Sequence, residues 1–354
     1  MSIRHTLLTM ILATAVAAGC SAHSGADASS LVDIGAGLHG PRGLRASVFA
    51  TGLTHAAAFA IDREDRLWVA TADYSDTGRD GVYLVPSAGA APVEVIRDLR
   101  TPLGLLWYRG SLFVASKGRV DAYSGLHGTT FAARRTVVSL PENVGEVNNL
   151  VLAPDGDMLL GISAPCDHCA PVSKYSGSII SFRPDGSHLA LYARGIRAPV
   201  GLAYVPRTSD LLATMDYRDD LGAATPGDVL ALVRASSDWK NPRCYGQGGS
   251  ACAGVPTAVA VLDPHAAVSG VAIVTGELGT RIGTSAFVAE WALGKVQRVA
   301  LTRSGATYTG AVTPFLTGIG HPVALALAST PGAAHSALFA GDWTTGTIYR
   351  ITTA

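Results

Sequence analysis

Three basic side chains in this sequence stand directly before apolar segments, where they are well placed to handle an anion or a proton. His55 and His321 each precede such a segment, and Arg197 precedes another. An imidazole gains or loses a proton near neutral pH, and a guanidinium holds a carboxylate through paired hydrogen bonds. The pattern indicates a polar binding site, and a purely structural role for the two histidines is the alternative.

An acidic stretch follows the segment that Arg197 precedes. Arg218 adjoins Asp219 and Asp220, and loop carboxylates bind Ca²⁺ together with loop carbonyls. A solvated surface cluster is the alternative. Asp216 and Asp342 each end an apolar segment, and we expect them to cap turns.

Four of the five cysteines form two close pairs, Cys166 with Cys169 and Cys244 with Cys252. In an exported protein this arrangement predicts two local disulfides that staple loops. A zinc site built from all four thiolates is the alternative.

The elements that must position these residues form a repeat. An apolar strand, a turn and a second apolar strand recur six times, in residues 54–70, 101–115, 148–162, 198–214, 268–289 and 321–340. A glycine and a third short strand follow each copy, in residues 81–85, 118–123, 177–182, 227–233, 294–299 and 346–351. Copies spaced about 45 to 70 residues apart predict an all-β, six-bladed β-propeller.

Each predicted blade is a small antiparallel sheet that buries its faces against the neighbouring blades. We expect outer strands near residues 91–97, 136–140 and 189–193, and closure of the ring by a strand near residues 44–49. The loops that lead into the inner strands then converge at one mouth of the channel, where a ligand pocket is expected. These loops contain His55, Thr101, residues 145–149, Arg197, residues 267–269 and His321.

The N-terminus predicts export. Arg4 precedes a short apolar run at residues 7–18, and small residues lead directly into Cys20. This pattern is typical of a bacterial lipoprotein signal, in which the cysteine is acylated; an ordinary signal peptide that contains a cysteine is the alternative. We expect a lipid anchor, as the only contact with the membrane, on the periplasmic face of the outer membrane.

The sequence therefore divides into a signal peptide, a tether that begins at Cys20, and the propeller, in residues 1–19, 20–43 and 44–354. Basic and acidic side chains both number 27. A balanced charge argues against a nucleic-acid partner, which requires a basic face.

Several stretches resemble the glucose/sorbosone dehydrogenase family. They are LVLAPDGDMLLGISAPCDHC (150–169), GIRAPVGLAY (195–204), DYRDDLG (216–222), DWKNPRCYG (238–246) and the C-terminal GTIYRI. The resemblance implies a six-bladed propeller that oxidises an aldose at its anomeric carbon. It also implies pyrroloquinoline quinone (PQQ) and Ca²⁺ as cofactors and a sugar or sugar-like ligand.

The residues expected for this chemistry match unevenly. A histidine of the family acts as general base before the third inner strand, and Gly145 occupies that position here, which leaves the neighbouring Glu146 as a candidate replacement base. The family's arginine before the fourth inner strand is kept as Arg197, but its asparagine neighbour has become Ala198.

Other positions of the resemblance are also mixed. An acidic pair of the family appears as Asp228 and Val229, the blade-five tryptophan is kept as Trp291, and a blade-six arginine has become His321. The repeat and the resemblance together predict a cofactor-binding set and a metal-binding set. The first is Arg197, Arg218, His321, His55 and Trp291, and the second is Asp219, Asp220 and Asp228.

Three functions are consistent with these residues. The first is a PQQ-dependent sugar dehydrogenase with a substituted site. The second is a non-catalytic relative that binds a sugar or a partner. The third is a calcium-dependent lactonase, for which Glu146, Asn148 and Asn149 are candidate metal ligands.

Overall fold

Short runs of β-branched, aromatic and small residues, broken by glycine, proline and aspartate turns, fold into antiparallel sheets. The computed structural model describes residues 30–328 and 336–354. The predicted signal peptide and Cys20 lie outside these residues. The first three strands are β1 (Val32–Gly35), β2 (Leu38–Gly40) and β3 (Leu44–Ala50).

Six four-stranded sheets follow, each ordered from an inner to an outer strand. Blade 1 contains β4 (Ala56–Ile61), β5 (Leu67–Thr71), β6 (Asp80–Val85) and β7 (Val93–Leu99). Blade 2 contains β8 (Gly104–Tyr108), β9 (Ser111–Ser116), β10 (Arg119–His127) and β11 (Thr130–Ser139). Blade 3 contains β12 (Val147–Leu152), β13 (Met158–Ile162), β14 (Ser178–Phe182) and β15 (Ala190–Arg194).

The second half of the ring repeats this order. Blade 4 contains β16 (Ala198–Tyr204), β17 (Leu211–Asp216), β18 (Val229–Val233) and β19 (Ala260–Val261). Blade 5 contains β20 (Val268–Thr275), β21 (Thr284–Glu290), β22 (Lys295–Ser304) and β23 (Thr307–Leu316). Blade 6 contains β24 (Pro322–Ala328), β25 (Ala337–Asp342) and β26 (Ile348–Thr353). Two short 3₁₀ helices, at Gly222–Ala224 and Ser250–Cys252, lie in the long loops of blade 4.

The ring closes as the sequence predicts. Strand β3 pairs antiparallel with β26 and becomes the outer strand of blade 6, with Ala46 opposite Ile351. Each inner strand contacts the inner strand of the next blade, and β24 contacts β4. Closure removes the free sheet edges that an open array would expose. The six-bladed, all-β prediction is confirmed.

The predicted tether extends too far. Residues expected to be flexible up to position 43 instead form the β1–β2 hairpin, and the compact unit begins at Leu31. Leu38 is fully buried, in one apolar cluster with Phe315 and Leu316. The His39 and Thr317 main chains exchange two hydrogen bonds of 3.0 Å. A buried leucine and a paired backbone hold this segment against blade 5.

The core lies between neighbouring blades. Trp68 is fully buried and stacks on Trp107 of the next blade with ring centroids 5.4 Å apart. The inner strands approach so closely that a Cβ at Gly201 or Gly270 would come within 2.5 Å of a carbonyl oxygen of the next inner strand. The channel is therefore nearly filled, with about 30 Å³ of free space beside Asn149. The part of the chain that the structure describes contains no helix long and apolar enough to cross a membrane.

Candidate functional site

One mouth of the channel widens into a cavity of about 470 Å³. Antiparallel pairing brings the start of each inner strand and the end of the second strand to the same edge of a blade. The inner strands β12, β16 and β20 carry register shifts near their starts, which re-aim the first side chains toward the mouth. Glu146, Asn148 and Arg197 line the cavity from these starts, together with residues 267–269.

Arg197 is the central polar residue of the cavity. Its two terminal nitrogens donate to Asp216 and to Asp167, one carboxylate on each side. The side chains of Arg197 and Asp216 are only 18% and 15% exposed. A buried guanidinium between two carboxylates has a pKa above its usual value, because both charges favour its protonated form despite desolvation.

Both predicted disulfides are confirmed, and one of them positions the partner of Arg197. Cys166 and Cys169 are bonded, as are Cys244 and Cys252. The first bond closes a short loop that contains Asp167. The other oxygen of this carboxylate accepts a hydrogen bond from the Asp219 main chain at 3.3 Å.

Three carboxylates line the cavity, and their pKa values are shifted in different directions. The main chain and hydroxyl of Ser75 donate to Asp73 and hold its pKa below the usual range. Burial raises the pKa of Asp216 well above its usual value, and repulsion from Asp228 adds to the rise. Glu146 is accessible from the cavity, but the enclosing protein desolvates its carboxylate and raises its pKa. Glu146 and Asp216 can therefore exchange protons closer to neutrality than ordinary carboxyls.

Two tryptophans form an aromatic wall of the cavity. Trp291 and Trp343 both line the cavity, with ring centroids 6.0 Å apart and ring planes at 80°. His321 packs on Trp291 at 5.0 Å, and His55 packs on Trp343 at 4.3 Å. The two histidines thus support the wall, and Trp291 reaches the cavity as the sequence predicts.

The predicted metal ligands do not come together. The Oδ1 atom of Asp219 lies 3.0 Å from Nδ1 of His265, and Asp220 accepts two hydrogen bonds from Arg218. Asp228 is buried and accepts hydrogen bonds from two main-chain amides, and burial raises its pKa to about 7. Among residues 30–328 and 336–354, no group of three or more His, Cys, Asp or Glu side chains is arranged to hold a metal ion.

Arg218 also lies apart from the cavity lining. Its guanidinium stacks over the Tyr245 ring at 4.9 Å while it pairs with Asp220. Of the candidate lactonase ligands, Glu146 and Asn148 line the cavity, and Asn148 donates to Ser163 at 2.9 Å. Asn149 lines the narrow channel instead.

Gly145 is required by the backbone. Its φ of +116° lies in the region that favours glycine, and a Cβ at this position would lie 2.0 Å from the Ser163 carbonyl oxygen. The position that aligns with a catalytic histidine therefore has no room for any side chain in this structure.

Sequence reasoning missed the residues that follow the second strands. Asp73, Tyr74, Ser163 and Trp343 line the cavity from such positions. Asp216 was expected to cap a turn, but it pairs with Arg197. Asp342 does act as a cap and accepts four main-chain hydrogen bonds, from Gly320, His321, Thr344 and Thr345. The missed signal is the antiparallel geometry itself, since each second strand ends beside the start of an inner strand.

The comparisons with known proteins agree on the fold. No protein-family model matches this chain, and no curated protein sequence matches it. Several solved structures, however, are similar to this chain in fold. The PQQ domain of a pyranose dehydrogenase from Coprinopsis cinerea, in its holo form, superposes with a TM-score of 0.71 at 16% identity, over 89% of this chain and 97% of that one.

Two further structures are similar. The PQQ-bound aldose sugar dehydrogenase from Streptomyces coelicolor gives a TM-score of 0.68 at 18% identity, over 88% of this chain and 99% of that one. A calcium structure of a family AA12 carbohydrate-active enzyme from Trichoderma reesei gives 0.66 at 19% identity, over 89% and 96%. At these identities the likeness shows the fold alone. The propeller implied by the sequence resemblance is thus a fold that this chain shares with sugar dehydrogenases of known structure.

Proposed function

We propose that the mouth cavity binds a sugar. The observation that carries this proposal is the placement of a tryptophan pair, Trp291 and Trp343, in one cavity with hydrogen-bonding carboxylates and Asn148. Ring faces pack against the C–H face of a pyranose, and carboxylate oxygens accept hydrogen bonds from its hydroxyls. A volume of about 470 Å³ is in the range of small-molecule pockets. The shared fold with sugar dehydrogenases supports the same ligand class.

The donor set of the cavity does not fit PQQ. This cofactor carries three carboxylates, which need cationic partners. The described lining offers Arg197 as its cation, already engaged by two aspartates, and it presents the carboxylates of Asp73, Glu146 and Asp216. An anionic cofactor would meet like charges, which is costly in a partly desolvated site. Position 145 also supplies no base. We therefore derive no reaction step through PQQ or Ca²⁺.

A PQQ-dependent aldose dehydrogenase is the second candidate. The observation that favours it is the fold shared with a pyranose dehydrogenase PQQ domain and a PQQ-bound aldose sugar dehydrogenase, together with the positions of Arg197 and Trp291 in the cavity. The two candidates differ in a simple way, because one binds a sugar alone and the other requires the cofactor.

Calorimetric titration of the full chain with neutral aldoses tests the first candidate. We expect saturable binding without added cofactor, and about five- to tenfold weaker binding for Trp291→Leu, since the wall loses its ring face. Tyr108→Leu is the control, because Tyr108 is a half-buried aromatic in blade 2, away from the cavity lining.

The same protein is then heated with PQQ and Ca²⁺. An unchanged melting temperature is expected from the acidic lining. If PQQ with Ca²⁺ raises the melting temperature and an aldose then reduces an artificial electron acceptor, the second candidate replaces the first.

We also propose that the protein is exported and lipid-anchored through Cys20, at the outer membrane facing the periplasm. The small residues before Cys20 support this proposal, and the two disulfides suit an oxidising compartment. Fractionation should find the full chain with the membranes, and Cys20→Ser should release it in soluble form, since the thiol that carries the lipid is absent. A soluble wild-type protein would contradict the anchor.

A further inference from the structure

The charge of the mouth cavity is unbalanced. Asp73, Glu146 and Asp216 line it, and Arg197 is the basic side chain of the described lining. The two terminal nitrogens of Arg197 already donate hydrogen bonds, one to Asp216 and one to Asp167. One oxygen of Asp216 is buried and has no hydrogen-bond partner in the described part of the chain. Acidic side chains therefore outnumber basic ones in the described lining of the cavity.

The protein does not relieve this excess itself. Desolvation by the surrounding protein raises the pKa values of Glu146 and Asp216, so a nearby positive charge would favour the ionised form of each. Lys117 and Arg197 oppose the rise at Glu146, and Asp76 adds to it. Lys117 itself forms an ion pair of 2.9 Å with Asp76 outside the lining. A positively charged group inside the cavity would stabilise both carboxylates.

The aromatic wall favours the same kind of ligand. Trp291 and Trp343 meet nearly at a right angle and present ring surface to the cavity. The face of an indole ring attracts a cation, and tryptophan does so best among the aromatic side chains. Carboxylates and indole rings that line one cavity form a suitable site for a protonated amine.

We propose that the preferred ligand of the mouth cavity is an amino sugar, whose protonated amine lies between the acids and the tryptophan pair. This inference rests on the proposed sugar binding and names its substrate class. A bare metal ion is a poorer match, because the described residues hold no group of three suitable ligands and the cavity of about 470 Å³ is large enough for a sugar ring.

Titration of the full chain with three matched sugars tests the inference. Glucosamine, glucose and N-acetylglucosamine share one ring and differ in the group at carbon 2, which carries a charge only in glucosamine. At a pH of about 6 a sugar amine is largely protonated. We expect glucosamine to bind at least about tenfold tighter than the two neutral sugars, with an affinity that falls as salt is added.

The variants Glu146→Gln and Glu142→Gln form a matched pair. Glu146→Gln keeps the side-chain shape and removes one charge from the cavity, so the preference for glucosamine over glucose should fall by about tenfold. Glu142 lies only four positions away but is exposed and pairs with Arg100 outside the cavity lining, so its variant should keep the full preference.

The remaining outcomes separate the two proposals. Equal affinities for the three sugars would overturn the amino-sugar inference and leave sugar binding intact. Binding of tetramethylammonium without binding of any sugar would overturn both the proposed sugar binding and the amino-sugar inference, and would leave a site for other organic cations. Tight binding of Ca²⁺ alone, with exclusion of glucosamine, would overturn the inference in favour of a metal.

Discussion

Replacing Gly145 with histidine is expected to destabilise the protein by about 2–5 kcal/mol and to create no catalytic base. A left-handed backbone costs a non-glycine residue roughly 1–2 kcal/mol, and overpacking adds about 1–3 kcal/mol. Overpacking is severe here, because the new Cβ would lie 2.0 Å from the Ser163 carbonyl oxygen. The Ser163 amide also donates a hydrogen bond to the Glu146 carbonyl, so the clash would disturb the start of β12 at the cavity.

Denaturant unfolding of Gly145→His and Gly145→Ala measures this effect. Gly156→Ala is the matched control, since Gly156 has a φ of +93° and no neighbouring atom within 4 Å of an added Cβ. The control should cost only about 1–2 kcal/mol, from the backbone conformation. A Gly145→His protein as stable as the wild type, and able to oxidise an aldose with PQQ, would show that the loop accommodates the family's base.

Replacing Arg197 with methionine is expected to cost about 3–5 kcal/mol of stability. Methionine keeps much of the side-chain volume but leaves Asp167 and Asp216 facing each other without a cation. Removing one partner from a largely buried ion pair leaves an uncompensated charge, which is the costly case.

The loss should grow with pH. The pKa of Asp216 is already raised in the folded protein, so its stability contribution is present at low pH and is lost as the carboxyl ionises. Without Arg197 that pKa rises further, because the attraction that favours the ionised form is gone. The destabilisation of Arg197→Met should therefore be larger at a pH of about 8 than at about 5.

Unfolding curves at both pH values, for three variants, check this result. Arg197→Met combined with Asp216→Asn should recover part of the stability, since one unpaired carboxylate is removed. Arg97→Met should leave the free energy of unfolding nearly unchanged, because the Arg97 side chain is 71% exposed where it pairs with Glu94. Equal effects at Arg197 and Arg97 would contradict the central role of Arg197.

Much of the fold follows from local pattern. Each pair of inner strands is visible in the sequence as two apolar runs with a turn between them. Six repetitions of this pattern are enough to predict a ring of six blades. The closing strand near residues 44–49 was predictable, because the last blade otherwise lacks an outer strand. The disulfides were also predictable, since each joins cysteines that lie close together in the sequence.

The candidate site was only partly predictable. Glu146, Arg197 and Trp291 reach the cavity, as the strand starts and the family resemblance indicate. Asp219 and Asp220 do not, because His265 and Arg218 engage them in the blade-four loops. Such pairings join residues from different loops, and a repeat pattern has no information about which loops meet.

By itself, the sequence determined the number of blades, the closing strand and the disulfide pairs, because these depend on periodicity and on short spacings along the chain. Only the tertiary structure decided that Asp167 and Asp216 enclose Arg197, that the tryptophans share a cavity with three acids, and that Leu38 is buried. It also decided that position 145 accepts only glycine, since the obstacle is a carbonyl oxygen 18 residues away in sequence. Contacts between distant segments are set by how the blades pack, and charge and space in the cavity arise only there.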